Sequence, residues 1–333
     1  MIQDNSPGNG VSVRPMPAAF ETDVLGRPYR VETIDLPDDS EGPVVATLVH
    51  KPTRKRAGRA VLHVHGFADY FFHREYAEWW TARGYTFYAL DLRKYGRSIL
   101  DHQTPNYTED LADYYLEIDA AWQRITERDG HTSVAVSAHS TGGLTLPLWV
   151  NDRRPDELSA MVLNSPWLDL QGSGWLRNPA ARAALNQLGV RQPRRLIPRN
   201  VDTSYGRALH TSHGGEFDYD LAWKPLESWP VYAGWLRAIR AGHDRVHAGL
   251  DVSAPVLVLS STVSASAAVD PDAVNRADVV LDVQQIRRWA SSLGSHVTSI
   301  AIDGGRHDLV LSVPEVRARV YAELDRWLAT YVE

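Results

Sequence analysis

Short apolar segments alternate with helical segments along most of the chain, and this alternation limits the possible folds more than any other feature. It is typical of parallel strands that helices cover on both faces. The apolar segments lie at residues 29–36, 44–50, 60–65, 86–92, 133–138, 160–164, 254–260 and 297–302. The first two are separated by turn residues, which predicts an antiparallel pair at the edge of the sheet. The sequence therefore predicts an α/β fold.

The alternation is interrupted once, after Pro166, and resumes at residue 254. The intervening segment is rich in Arg, Gly and Trp and contains only a few helical stretches, such as 231–241. Residues 1–20 are rich in Pro, Gly, Ser and Asn, as flexible segments are. We therefore predict a lead-in at 1–20, a core formed by 21–166 and 251–333, and a cap inserted at 167–250.

Composition excludes several classes of protein. The chain has 333 residues, 44% of them hydrophobic, and a formal net charge of −6, which disfavours nucleic-acid or anionic-membrane partners. It contains no cysteine, so disulfides, thiolate metal sites and a cysteine nucleophile are excluded. We find no apolar run of about 18 residues that could span a bilayer and no secretory signal, and we expect a cytoplasmic protein, either a monomer or a homodimer.

The strongest local signal is residues 134–143, VAVSAHSTGG. An apolar strand ends at Ala138, and the chain turns at Ser140 into a segment that begins a helix near Gly143. A nucleophilic serine in such a strained turn needs small residues two positions before and after it, here Ala138 and Gly142. The alternative is a strand-to-helix turn with a serine near the helix N-cap. We favour Ser140 as a nucleophile.

A second signal is His65–Gly66–Phe67, directly after a strand. Acyl transfer builds negative charge on a carbonyl oxygen, which preorganised N–H groups stabilise. The backbone N–H groups of Phe67 and Thr141 are the candidate donors of this oxyanion hole. We expect His65, Gly66 and His139 to lie close enough to contact the substrate.

The base that activates Ser140 is expected in the loop between the last strand and the last helix, where His307 lies. An acid must orient its imidazole ring. Asp278 and Asp282 both follow the strand at 254–260, and we favour Asp278 because Asp282 is better placed to cap a helix. The chain order serine, aspartate, histidine is that of the α/β-hydrolase triad.

Taken together, these motifs resemble the α/β-hydrolase superfamily, and more narrowly its serine aminopeptidase S33 and monoacylglycerol lipase–lysophospholipase branch. The matching segments are HGF at 65–67, DLRKYGRS at 91–98, AHSTG at 138–142, LNSP at 163–166, ADVVLD at 277–282 and GGRHD at 304–308. The resemblance implies an eight-stranded, mostly parallel sheet with a helical cap between the sixth and seventh strands. It also implies the catalytic roles of Ser140, Asp278 and His307 and the oxyanion donors Phe67 and Thr141. Tyr95 replaces a glycine of the family pattern, and the segment 261–277 is longer than usual.

The substrate is the least constrained part of the prediction. Aromatic residues of the insertion, Trp167 among them, are candidates to line an acyl pocket. We expect hydrolysis of a carboxylic ester with a medium or long acyl chain, such as a monoacylglycerol or lysophospholipid, with no metal and no cofactor. A proline-type aminopeptidase is the alternative, with Asp169, Glu216, Asp218 or Asp220 as candidates to hold the substrate's ammonium group. A non-catalytic ligand receptor on the same fold is the third possibility.

Overall fold

The computed structural model describes residues 20–53, 58–170, 179–199 and 202–332. All but the last residue of the predicted lead-in lies outside the described residues, as do 171–178 and 200–201 of the predicted insertion. Among the described residues, no helix is both long and apolar enough to cross a membrane.

A single nine-stranded sheet forms the centre of the described structure. Its strands are β1 (Glu21–Thr22), β2 (Arg30–Asp39), β3 (Gly42–Lys51), β4 (Arg59–Val64), β5 (Tyr85–Asp91), β6 (Ser133–His139), β7 (Leu158–Asn164), β8 (Val256–Ser261) and β9 (Val297–Ile302). Their spatial order is β1-β2-β3-β5-β4-β6-β7-β8-β9. Within this order, the pairs β1–β2, β2–β3 and β3–β5 are antiparallel. Every other pair of neighbouring strands is parallel. The eight predicted strands are confirmed, and the two-residue β1 adds an edge that the sequence did not predict.

Helices cover both faces of the sheet, as predicted. They are α1 (Arg74–Ala82), α2 (Tyr115–Gln123), α3 (Gly142–Arg153), α4 (Pro179–Arg191), α5 (Ser204–Leu209), α6 (Ala233–Ala248), α7 (Val283–Ala290) and α8 (Pro314–Tyr331). Strand β4 shows why most of its residues are apolar. Leu62 and Val64 join the core on one face of the sheet, and Val61 joins the core on the other. Because successive side chains of a strand point to opposite faces, every residue from Ala60 to Val64 is buried.

The strand order brings two loops together at one edge of the sheet. Strands β4 and β6 are parallel neighbours, with Val64 opposite Ala138, so the loops that leave their carboxyl ends are adjacent. The segment between β7 and β8 contributes α4, α5 and α6 and, among its described residues, no strand of the sheet. Ligands of open parallel sheets bind at the carboxyl ends of the strands, and the predicted site residues lie there.

Candidate active site

Ser140 lies in a strained turn between β6 and α3. Its φ angle is +51°, a left-handed conformation that a residue with a side chain adopts only when the surrounding structure holds it there. Three backbone contacts hold it. The Ser140 N–H donates to the carbonyl of Asn164 at 3.0 Å, and its carbonyl accepts from the N–H groups of Gly143 and Trp167, each at 2.9 Å. This turn projects the hydroxyl away from the strand.

Small residues let neighbouring loops approach this turn. A Cβ atom on Gly142 would lie 2.4 Å from the carbonyl oxygen of His65 and 2.7 Å from that of Val64. A Cβ atom on Gly66 would lie 3.0 Å from the Cβ of Ser140. The loop after β4 therefore lies directly against the turn, and glycine at 142 is a packing requirement.

Substitution of Gly142 by Ala is expected to lower the melting temperature by several degrees, because the backbone atoms that the methyl group meets have little room to move. Overpacking of this kind costs about 1–3 kcal/mol. Gly130→Ala is a reference for backbone strain alone, since the φ of +74° at Gly130 disfavours alanine but nothing lies within 4 Å of an added Cβ. Thermal unfolding followed by circular dichroism would measure both variants. A Gly142→Ala protein as stable as the wild type would contradict the packing argument.

His307 joins the serine to an aspartate. Its Nε2 lies 3.1 Å from the Oγ of Ser140, and its Nδ1 lies 3.0 Å from the Oδ2 of Asp278. All three residues are buried, and Asp278 is fully inaccessible to solvent. A carboxylate can only accept, so Nδ1–H donates to Asp278 and the lone pair of Nε2 faces the serine hydroxyl. In this tautomer His307 can take a proton from Ser140.

The two candidate acids have different surroundings. The Oδ1 of Asp278 accepts hydrogen bonds from the backbone N–H groups of Val280 (2.8 Å) and Leu281 (2.7 Å). These donors fix the carboxylate so that Oδ2 points at His307. Asp282 instead caps α7, where its Oδ1 accepts from the N–H of Gln284 at 3.0 Å. The long segment before the acid folds back on it, since the Asp278 N–H donates to the carbonyl of Val263.

The expected oxyanion donors flank the serine. Phe67 lies in the loop after β4, and Thr141 lies between Ser140 and α3. Among the described residues, neither backbone N–H has a hydrogen-bond partner. Two unpaired N–H groups beside a serine can bind an oxyanion.

Of the four residues expected to contact the substrate, the structure places one at the cavity that contains Ser140 and three outside its lining. His139 lines the same cavity as Ser140 and Phe67. His65, Gly66 and Trp167 do not line it. Nε2 of His65 accepts from the N–H of Leu92 (3.0 Å), and its Nδ1 contacts the carbonyl of Gly66 (2.8 Å). His65 thus braces the loop that carries Phe67, and Trp167 braces the serine turn through its backbone N–H.

A buried ion network borders the serine turn, and the sequence did not predict it. Asp69 lies 2.7 Å from the Nζ of Lys224 and 3.3 Å from the Nδ1 of His139. Asp308 accepts from Asn164 at 2.7 Å and lies 3.2 Å from the Nε2 of His73. Burial alone would raise the pKa of Asp69, but Lys224 and His139 hold it well below its usual value. Lys224 belongs to the insertion, so this ion pair fastens the insertion to the loop after Phe67.

Donor atoms of Asp69, His139 and Asp308 lie within 4.8 Å of one another, which is close enough for a metal ion. Their carboxylates already receive donors, however, from Lys224 and Asn164. A metal would have to displace these contacts, so we interpret the cluster as part of the ion network.

A cavity of about 290 Å³ opens onto Ser140 and His307. Its apolar lining includes Phe67, Ala68, Pro225, Leu226, Val279 and Val280. Its polar lining includes Asp69, His139, Arg199, Asp202, Tyr205 and Lys224. The insertion therefore supplies much of the wall, as a cap would.

Comparison with known proteins agrees with this geometry. The family model for serine aminopeptidase, S33, matches residues 55–312. The chain belongs to the serine aminopeptidase S33 family. No curated protein gives a match.

Solved structures confirm the α/β-hydrolase fold of this S33 family member. A soluble variant of monoglyceride lipase from Saccharomyces cerevisiae, in complex with a substrate analogue, superposes with a TM-score of 0.67 at 14% identity, over 96% of this chain and 99% of that chain. A monoacylglycerol lipase from Paleococcus ferrophilus gives 0.62 at 20% identity, over 85% and 98%. A carboxyl esterase from Bacillus coagulans, in complex with glycerol, gives 0.62 at 13% identity, over 91% and 99%.

Counted from Asp91, the family pattern D-x-x-G-x-G-x-S places its first glycine at Lys94, whose φ is +64°, so Tyr95 does not replace a family glycine as expected. The Tyr95 ring is buried and its centroid lies 4.7 Å from that of His65. It fills the space beside the histidine that braces the Phe67 loop. The next residue, Gly96, has φ of +48°, and a Cβ there would lie 2.4 Å from the Cβ of Tyr70. Glycine is therefore required at 96 but not at 95.

The histidines of the S33 insertion, His210 and His213, do not form a metal site with Glu216 in the described structure. The ring nitrogens of His210 contact the hydroxyl of Ser212 (2.7 Å) and the carbonyl of Tyr219 (3.0 Å). Glu216 forms an ion pair with Arg317 at 2.6 Å. These side chains tie the insertion together and to α8.

Proposed function

We propose that the protein hydrolyses carboxylic esters through an acyl-enzyme on Ser140. The observation that carries this proposal is the hydrogen-bonded series from Ser140 Oγ to His307 to Asp278, with contacts of 3.1 and 3.0 Å. Serine is a weak nucleophile unless a base within reach takes its proton. His307 has the geometry and, through Asp278, the tautomer for that role.

The reaction would proceed in two halves. Ser140 attacks the ester carbonyl as His307 Nε2 takes the hydroxyl proton, and the alcohol leaves with that proton. A water molecule then attacks the acyl-enzyme, again with His307 as the base, and releases the acid. Asp278 stabilises the imidazolium formed in each half. The N–H groups of Phe67 and Thr141 would stabilise the negative oxygen of both tetrahedral intermediates.

The volume of the cavity favours compact substrates. A volume of about 290 Å³ lies at the lower end of the range for small-molecule pockets. The described cavity therefore supports a short or medium acyl chain better than the long chain that the sequence analysis allowed.

A panel of p-nitrophenyl esters graded by chain length is expected to give its highest kcat/KM with acyl groups of about four to eight carbons. The value should fall at least about tenfold for palmitate, because a longer chain would extend beyond the described cavity. Initial rates at matched concentrations below the critical micelle concentration would measure this. A maximum at palmitate would mean that the insertion opens to hold a longer chain, and would contradict the proposed substrate size.

The same panel should include amino-acyl p-nitroanilides, because an aminopeptidase is the competing activity. Asp169, Glu216, Asp218 and Asp220, the carboxylates first considered for holding a substrate ammonium, do not line the Ser140 cavity. Asp69 and Asp202 do line it, but Asp69 is already paired with Lys224 and Asp202 already accepts from the N–H of Ser204. Ester turnover without nitroanilide turnover is the expected result, and the reverse would establish the peptidase.

A further inference from the structure

Among the described residues, one positive charge of the Ser140 cavity lacks a carboxylate partner. Arg199 lines the cavity beside Phe67 and is open to solvent. Its Nη2 donates to the backbone carbonyl of Trp229 at 2.6 Å, and within the described ranges its guanidinium forms no ion pair. Burial of part of this group lowers its pKa, with no carboxylate acting in the opposite direction. Since arginine remains protonated in proteins, the charge persists at every working pH.

The other charges of the cavity have partners or lie apart. Lys224 is paired with Asp69 at 2.7 Å. Asp202 is exposed, and its Oδ1 accepts from the N–H of Ser204 at 2.8 Å. Although Asp202 lines the same cavity, it forms no ion pair with Arg199. Arg199 is therefore available to a ligand anion.

Arg199 lies near the place where the reacting ester would bind. Its guanidinium carbon lies 6.0 Å from the centre of the Phe67 ring, and the Phe67 N–H is the proposed oxyanion donor. Arg199 also lines the same cavity as Ser140 and His307, so an ester that reacts with Ser140 would share the cavity with this guanidinium. Guanidinium groups bind planar carboxylates and phosphates through paired hydrogen bonds.

We propose that the preferred substrates are esters that carry a carboxylate or a phosphate a few bonds from the scissile carbonyl, and that Arg199 binds this anion. This proposal rests on the proposed ester hydrolase function and narrows its substrate class. A neutral ester offers the guanidinium no anionic partner, whereas an anionic ester offers a charge-assisted hydrogen bond.

The test compares two substrate pairs that differ in charge. The first pair is the mono-p-nitrophenyl ester of glutaric acid and p-nitrophenyl pentanoate, which places the anion on the acyl side. The second is 1-butyrylglycerol 3-phosphate and 1-butyrylglycerol, which places it on the alcohol side. After subtraction of spontaneous hydrolysis, the wild-type protein is expected to prefer the anionic member of one pair by roughly ten- to a hundredfold in kcat/KM at low salt. The pair that shows the preference identifies the source of the anion.

Two variants test whether Arg199 is the cause of the preference for anionic esters. Arg199→Gln should reduce the ratio of anionic to neutral kcat/KM to near one. Arg207→Gln is the matched control, because Arg207 is exposed in α5 of the same insertion and does not line the cavity. It should keep the wild-type ratio.

Equal or better turnover of the neutral member in both pairs would overturn the proposal. So would a preference that Arg199→Gln reduces no more than Arg207→Gln does. In either case, continued hydrolysis of p-nitrophenyl pentanoate would show that the ester hydrolase function stands. Absence of turnover of all four esters by the wild-type protein would overturn both.

Discussion

Replacement of Ser140 by Ala is expected to abolish ester hydrolysis, lowering kcat by roughly 10⁴- to 10⁶-fold. The side chain that forms the acyl bond is lost, and the residue that remains still fits the turn because only one oxygen is removed. Initial rates with a p-nitrophenyl ester would measure the loss. Far-UV circular dichroism and the melting temperature should show that the fold persists.

Ser165→Ala provides a matched control for this variant. Ser165 is also buried, also has a positive φ (45°), and follows the neighbouring strand β7. Its hydroxyl has no hydrogen-bond partner in the described structure, and it does not contact His307. Activity should therefore be largely retained in Ser165→Ala. Equal activity of the two variants would mean that Ser140 is not the nucleophile.

Asp278→Asn is expected to lower kcat by about 10⁴-fold, as substitution of a triad acid does elsewhere. An amide at this position can donate a hydrogen bond to Nδ1 of His307, which favours the tautomer with the proton on Nε2. His307 then cannot accept the proton of Ser140. The loss of negative charge also removes stabilisation of the imidazolium that forms during the reaction. Steady-state kinetics at saturating ester would measure the effect.

Asp282→Asn is the matched control for the acid, only four residues away. Its side chain caps α7, and Asn serves as an N-cap about as well as Asp. Both activity and stability should therefore remain close to wild type. A larger loss in Asp282→Asn than in Asp278→Asn would show that the acid has been wrongly chosen.

Several features of the structure were predictable because they depend on local sequence. The β-branched runs predicted eight strands, since a strand buried on both faces must be apolar throughout. Gly142 follows the serine by two residues, and its packing against the carbonyl of His65 explains why that spacing carries information. His307 lies 3.1 Å from the Ser140 hydroxyl, and its position between a strand and a helix was enough to expect it there.

Other features depend on contacts between distant segments and left little trace in the sequence. Lys224 and Arg199 lie in the insertion, where no regular periodicity predicts which side chains face the cavity. Asp69 offered a weak signal, as it lies two residues after Phe67 in a loop at the carboxyl end of a strand. His65 and Trp167 were expected to contact substrate, but the structure places them behind the cavity wall. Their residue types could not distinguish a binding role from a bracing role. Cellular location and oligomeric state remain predictions from sequence.

We propose that His307 activates Ser140. Labelling with a fluorophosphonate probe tests it most directly, because only an activated serine reacts readily with this reagent. We predict that the native protein gains one probe per chain, that peptide mapping places it on Ser140, and that the label is absent from the Ser140→Ala variant and from heat-denatured protein. A native protein that remains unlabelled, or that carries the label on another serine, would contradict the account.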